Sequence, residues 1–169
     1  ARRSDGSWKL IANLPYNVAA PVVLRALDEA PLIKEVLVLV QREVAERLGA
    51  GPGSAAYGIP SVKVAYCARA EVVGKVPAAV FHPVPKVESA LVRITRLPNP
   101  ATPADPDVLF GLVRRAFGQR RKMHRRSLAT QVPASAFDAA GVDPTSRPQD
   151  LDIMTWGRLA MAVAEGRGD

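Results

Sequence analysis

Metal chemistry and covalent cross-linking are almost out of reach for this chain. In 169 residues it has one cysteine, Cys67, and two histidines, His82 and His124. One cysteine cannot build an intrachain disulfide framework and suits a reducing compartment. Three soft ligands so far apart in sequence do not make a metal site, and none is expected. No apolar run approaches the roughly 18 residues needed to span a bilayer, and no amino-terminal signal pattern is present. A cytoplasmic protein without a membrane partner is therefore expected. Acidic side chains are also in deficit, with 16 Asp and Glu against 23 Lys and Arg, a formal charge of +7. That balance favours a polyanionic partner without specifying nucleic acid, and the abundance of Ala and Arg is also what coding bias produces. What the chain does have is apolar content, 48%, enough for one sizeable core or a core with a small satellite.

The stretch that organises the rest runs from Trp8 to Asn17, W-K-L-I-A-N-L-P-Y-N. Lys9 to Ala12 is a short, mostly apolar run without helical spacing and predicts a buried central strand. Pro15 has no N–H for a ladder, so the strand stops there, and Leu14 before it is pushed to extended geometry. The product is a stiff loop at the carboxyl end of a strand, where open α/β sheets place ligands. The Asn13 side-chain carbonyl can accept a hydrogen bond, and so can the backbone carbonyl beside the proline. Two convergent acceptors suit an exocyclic amino group that must lose a proton while its lone pair attacks. Tyr16 offers a face on which a flipped-out base can stack. The same residues also fit an Asx-type turn with Tyr16 merely packed, and the tetrapeptide alone does not choose between the two.

Onward from there, Asn17 to Ala30 predicts a helix with Asn17 as its N-cap, Pro21 in its first turn and Val23, Leu24 and Leu27 as its apolar stripe. Lys34 to Gln41 reads as a central strand of a parallel sheet, apolar on both faces, and Gln41 as that strand's end. A helix follows to about Leu48. Gly49, Gly51 and Gly53 mimic a dinucleotide fingerprint but follow a helix and are broken by Pro52. They read as a helix stop and a turn, within a Gly/Ser/Ala stretch to Gly58 that is the most mobile by composition. V-K-V-A-Y, within Tyr57 to Cys67, alternates like a strand. Ala70 to Val76 reads as a strand ended by Pro77, and Glu88 to Arg96 as the last strand. Between them, the prolines of F-H-P-V-P-K-V hold Phe81 in an extended loop. There Phe81 is either a docking surface or core, the commoner fate of phenylalanine. P-N-P-A-T-P-A-D-P, from Pro98 to Pro106, is the defensible domain boundary. Beyond it the periodicity is helical: Asp107–Phe117 stopped by Gly118, Met123–Val132, Ala134–Ala140 stopped by Gly141, and Asp150–Glu165 with Leu151, Met154, Leu159 and Val163 inward.

From Val108 to Phe137 there is no acidic residue, yet Arg114, Arg115, Arg120, Arg121, Lys122, Arg125 and Arg126 fall there. A solvated basic helix ordinarily interleaves Glu or Asp. The unrelieved repulsion points to a polyanion, and the scarcity of aromatics to folded RNA read by backbone and shape.

Five blocks in order resemble one family, the ribosomal RNA adenine N6-dimethyltransferases (KsgA type, with the Erm methylases as cousins). Asn13-Leu14-Pro15-Tyr16 resembles its N-L-P-Y, and Gln41 to Leu48 its Q-K-E-V-A-x-R-L. Tyr57 to Val62 resembles Y-G-x-L-S-V, Phe81 to Ala90 resembles F-x-P-x-P-K-V-x-S-A, and Arg120 to Met123 resembles R-R-K-T. Ser146-Arg147-Pro148 is a looser match before the last helix. Pro60 and Met123 depart from the usual Leu and Thr, which bears on fine specificity. The family's Gly-rich loop and acidic residue, which hold S-adenosylmethionine, have no counterpart, and Ala1 to Ser7 is only a polar lead-in. The chain thus resembles the carboxyl-terminal portion of the enzyme.

The resemblance implies an α/β fold, the second half of a Rossmann-like class I methyltransferase sheet over 1–98, then a small all-α RNA-binding domain over 99–169. It makes Tyr57 to Cys67 a helix and sets the last two strands in an antiparallel hairpin. It implies that Asn13, Leu14, Pro15 and Tyr16 form the catalytic loop, orienting the adenine N6 between Asn13 and the carbonyl region of Pro15. Tyr16 and Phe81 would sandwich the base, and Asn13 would also touch S-adenosylmethionine. The implied reaction is dimethylation of two adjacent adenines of small-subunit ribosomal RNA in a pre-30S particle, by a monomer. As a fragment the chain would be inactive alone. The alternatives are an Erm-type large-subunit methylase and a non-catalytic RNA-binding or ribosome-assembly module.

Overall fold

A computed structural model describes residues 6–166. Their contacts divide the chain into two compact units. One runs to Ala50 and resumes over Lys63–Pro100; the other takes Gly51–Val62 and continues from Ala101. The proline linker thus holds one crossing, but two more fall earlier, so residues 51–62, expected in the first domain, belong with the second.

The first unit is a four-stranded mixed sheet with two helices and the later part of a third, whose opening residues 59–62 belong to the other unit. β1 (Trp8–Asn13), β2 (Ile33–Gln41), β3 (Ala68–Val76) and β4 (Ser89–Arg96) lie in the order β1-β2-β4-β3, with α1 (Ala19–Glu29), α2 (Arg42–Gly49) and α3 (Ile59–Cys67) along the chain. β1 pairs parallel with β2, β2 antiparallel with β4, and β3 antiparallel with β4 in the expected hairpin. β2 is interior as expected, but its neighbours run in opposite senses, β1 parallel to it and β4 antiparallel. Val36, Val38 and Val40 on β2 face Ile94, Val92 and Ala90 on β4, and this face buries against Ala19, Val23 and Leu27 of α1 and Ala45 and Leu48 of α2. Each valine so buried contributes roughly 1.5–3 kcal/mol.

Three local expectations are corrected. β1 is an edge strand among the described residues, with Ile11 66% and Trp8 44% exposed; an apolar run shows that a strand can be buried, not that it is. Asn17 does not cap α1: Val18 holds that position without a side-chain bond, since the turn closed by Pro15 and Val18 begins one residue too early. The segment 59–67 is helical despite its alternating valines. At the far end of α1, Arg96 donates from Nε to the Ile33 carbonyl at 2.9 Å and from a terminal nitrogen to the Leu27 carbonyl at 2.9 Å, with Ala26 and Ala30 at 3.3 Å. One guanidinium thereby satisfies the orphan carbonyls of a helix that ends without a glycine.

The second unit is helical. α4 (Pro106–Phe117) starts from Asp105, whose carboxylate accepts from the Asp107 and Val108 amides at 2.9 and 3.0 Å. α6 (Ala134–Ala140) ends at Gly141 in the left-handed region, φ 64°, as the sequence requires of a glycine stop. α7 (Ile153–Glu165) is capped by Asp152. Between α4 and α6 the expected ten-residue helix shrinks to α5 (His124–Ser127). The Ser127 hydroxyl bonds back to the Met123 carbonyl at 3.3 Å, offering the backbone a rival to helix continuation. Met154, expected inward, is 48% exposed. Leu109, Leu112, Val113, Leu128, Phe137, Leu159 and Val163 are buried in this unit, as is Trp156. Gly157 is required there, because a Cβ would overlap the Thr102 side chain.

The glycine-rich stretch, mobile by composition, is fastened to this unit. Gly53 N–H donates to the Gln149 carbonyl (2.8 Å), and Tyr57, fully buried, donates its hydroxyl to the Leu151 carbonyl (2.9 Å). Burial pushes the Tyr57 phenol up to about 12, with the charge of Asp152 adding to it.

Candidate active site and basic surface

Strand register assembles the first site. Asn13, the last residue of β1, lies beside Leu39 of β2; Gln41 ends β2 opposite Ser89; and Ser89 opens β4 opposite Val76, which ends β3. The carboxyl ends of β1, β2 and β3 therefore share one edge, the position at which open α/β sheets bind ligands. The Asn13 side chain is exposed there. Leu14 N–H extends the ladder weakly, 3.5 Å from the Leu39 carbonyl. The Pro15 carbonyl, expected to face a ligand, instead accepts from Val18 N–H at 3.1 Å and closes the turn into α1. Pro15 thus stiffens the loop.

Tyr16 is half-buried, and its hydroxyl is 2.8 Å from the Ser89 Oγ. Phe81, also half-buried, follows the short 3-10 turn Ala78–Val80 in the β3–β4 connection, its N–H bonded to the Ala78 carbonyl at 3.1 Å. That connection ends at Ser89, so Phe81 and Tyr16 both attach to the same end of the sheet. His82 precedes a cis proline, Pro83. Next to the loop lies an open cleft of about 530 Å³ lined by Gln41, Arg42, Glu43, Glu46, Lys86, Val87 and Glu88. Arg42 closes one side of it, 2.8 Å from Glu88 and 3.4 Å from Glu46. Gln41, read from the sequence only as a strand end, also lines this cleft.

The sequence reading passed over Ser89. Its signal was available: a hydroxyl opening the strand, directly before the apolar run Ala90 to Val92. His124 was likewise missed. It is fully buried, edge-on to Trp156 at 5.3 Å between ring centroids, and neither ring nitrogen has a hydrogen-bond partner among the described residues. Burial pushes its pKa down, against the opposing pull of the Arg147 backbone and of Asp150 and Asp143.

In the second unit the basic residues divide. Arg114, Arg115, Arg121, Lys122, Arg125 and Arg126 are exposed. Arg120 is committed to the fold, donating to the Ala55 carbonyl at 2.9 Å with its guanidinium 6.0 Å from the Phe117 ring centroid. Arg114 and Arg115 lie in the last turn of α4, where the helix dipole favours cations. Among the described residues no group of three His, Cys, Asp or Glu side chains is placed to hold a metal ion, and no helix is long and apolar enough to cross a membrane.

These features can be compared with known proteins. Residues 3–165 match the profile of the family described as ribosomal RNA adenine dimethylase. The chain belongs to that family. It is 46% identical to the ribosomal RNA small subunit methyltransferase A of Bifidobacterium longum, over 98% of this chain and 58% of that protein. To the proteins of the same name from Kineococcus radiotolerans and Pseudomonas aeruginosa it is 51% and 42% identical, over 89% and 98% of this chain. It spans 52% and 62% of those two proteins. Among solved structures, a dimethyladenosine transferase from Plasmodium falciparum superposes with a TM-score of 0.79 at 21% identity, over 93% of this chain and 66% of that one. The 23S rRNA methyltransferase ErmE superposes at 0.69 and 24% identity, over 97% and 68%. At such identities the structures establish the α/β fold alone.

Proposed function

We propose that the protein carrying this chain methylates the N6 amino groups of two adjacent adenines in small-subunit ribosomal RNA, as a step in ribosome biogenesis. The observation that supports this best is the exposed Asn13 amide at the carboxyl end of β1, three residues from a tyrosine tied to the start of β4. The Asn13 side-chain carbonyl and the Leu14 backbone carbonyl would accept from the adenine N6, drawing its lone pair into line. Tyr16 and Phe81 would stack on the two faces of the ring. Holding the amino group in place supplies much of the rate when the methyl donor is already electrophilic.

S-adenosylmethionine is the methyl donor in this proposal, and the residues present fit only its edge. Asn13 can lie against its methionine part. Among the described residues no glycine turn follows a strand, and Gly53, in the glycine-rich turn after α2, has given its amide to the Gln149 carbonyl. Bound, the cofactor supplies the methyl group. The residues of this chain orient the acceptor, and this chain alone would be inactive.

RNA binding would rest on Arg114, Arg115, Arg121, Lys122, Arg125 and Arg126, exposed cations of the second unit, with Arg120 holding the scaffold. Small-subunit RNA is favoured over large-subunit RNA because curated relatives sharing 42–51% identity bear the small-subunit name, whereas the likeness to ErmE is one of fold. The test uses the full-length protein with labelled S-adenosylmethionine and undermethylated small subunits. Nucleoside analysis should show N6,N6-dimethyladenine in the small-subunit RNA. Label in large-subunit RNA would favour the Erm-type alternative, and RNA binding without transfer a ribosome-assembly module.

A further inference from the structure

We infer that Ser89 is a positioning residue for this reaction, setting the plane of the Tyr16 ring. The inference rests on the function proposed above and assigns a residue that neither touches the base nor the donor. Tyr16 follows β1 in the chain, but its hydroxyl bonds to β4, and β2 lies between those two strands. Neighbouring strands are about 4.8 Å apart, so the tyrosine side chain reaches across the carboxyl end of β2. Its backbone is anchored at one end of that reach and its hydroxyl at the other. A phenylalanine in its place would keep the body of the ring and lose the far anchor.

Ser89 suits this task by its setting. It is 1% exposed, and its backbone stands between Gln41 of β2 and Val76 of β3, the interior of the sheet. A hydroxyl on this strand moves less than one on a loop. Tyr16 itself is only half-buried and sits in a turn, so packing alone does not fix its tilt. A stacking platform needs that tilt fixed before the base arrives, because a ring free to swing spends ordering entropy at each encounter. A net hydrogen bond of about 0.5–1.5 kcal/mol corresponds to roughly 2- to 12-fold in rate at 1.36 kcal/mol per tenfold.

The experiment is a double-mutant cycle in the full-length protein, with small-subunit particles as substrate. Ser89→Ala and Tyr16→Phe should each lower kcat about 2- to 12-fold, with KM for the particle unchanged because the basic unit sets it. The double variant should be no slower than the worse single variant, since both remove one bond. Multiplicative losses would overturn the inference, as would a lowered melting temperature with kcat per folded molecule intact. Ser89→Thr, which keeps the hydroxyl, should retain kcat more fully than Ser89→Ala, and equal losses in the two would also overturn it. An inactive wild-type protein would sink the proposed function itself, a result distinct from an active wild type with a multiplicative cycle.

Discussion

Two side chains carry the base-stacking proposal and can be removed singly. Base–aromatic stacking is worth about 1–3 kcal/mol per base, so Tyr16→Ala or Phe81→Ala in the full-length protein should cut methyl transfer by about one to two orders of magnitude. Particle binding should change little. Asn13→Ala should be harsher, because it removes an acceptor at the reacting nitrogen together with a donor contact. If Phe81→Ala lowers thermal stability while turnover per folded molecule persists, Phe81 is core and the slot is wrong. His124 gives a different prediction. Its pKa is lowered in the fold by burial, so the unfolded chain binds its proton more readily. Its contribution to stability is then complete above the unfolded value, near 6.5, and is lost progressively as pH falls below it. Melting temperature measured from pH 8 to pH 5 should fall on the acid side, and His124→Leu should flatten that slope. An unchanged slope in the variant would clear His124 of the effect.

At the scale of elements, the Arg96 bridge from β4 to the end of α1 is the most concentrated polar contact. Hydrogen bonds to charged groups are worth about 1.5–3 kcal/mol. Arg96→Met, which keeps the stem and deletes the guanidinium, should lower unfolding stability by about that amount in denaturant titration; a loss under about 0.5 kcal/mol would show that water replaces it. Nothing in the sequence announced this contact, because its partners are carbonyls some 60 to 70 residues away. Elements with local causes were legible: β2 from its valines, the end of α6 from Gly141, the linker from its prolines. Those decided by distant partners were not. Whether Lys9–Ala12 lay at the centre or edge of a sheet depended on its neighbours, and the mobility inferred from G-A-G-P-G ignored Gln149 and Leu151. For the site, N-L-P-Y was recognisable as a motif, while the engagement of the Pro15 carbonyl and the Ser89 bond were set by a turn and a register.

Charge is a property of the whole molecule, and its surplus of seven predicts salt dependence. Each phosphate neutralised contributes about 0.9 to the slope of log affinity against log salt on duplex DNA and about 0.7 on single strands. Replacing Arg121, Lys122 and Arg125 by Ala should weaken binding to ribosomal RNA and make the slope shallower by about two. Equal slopes would move the RNA surface elsewhere. Arg120→Ala should act otherwise, loosening residues 51–62 through Ala55 and lowering stability as much as affinity.

The three chain crossings between the units limit how such proteins can be recombined. A cassette cut at the proline linker looks complete in sequence, yet it would leave behind Tyr57, which fills the helical core and holds Leu151. Residues 101–169 expressed alone should melt without cooperativity, and a peptide of residues 51–62 added in trans should sharpen the transition. Exchange of helical units between family members should succeed only when that short upstream segment travels with them, so the inheritable module is two pieces of chain.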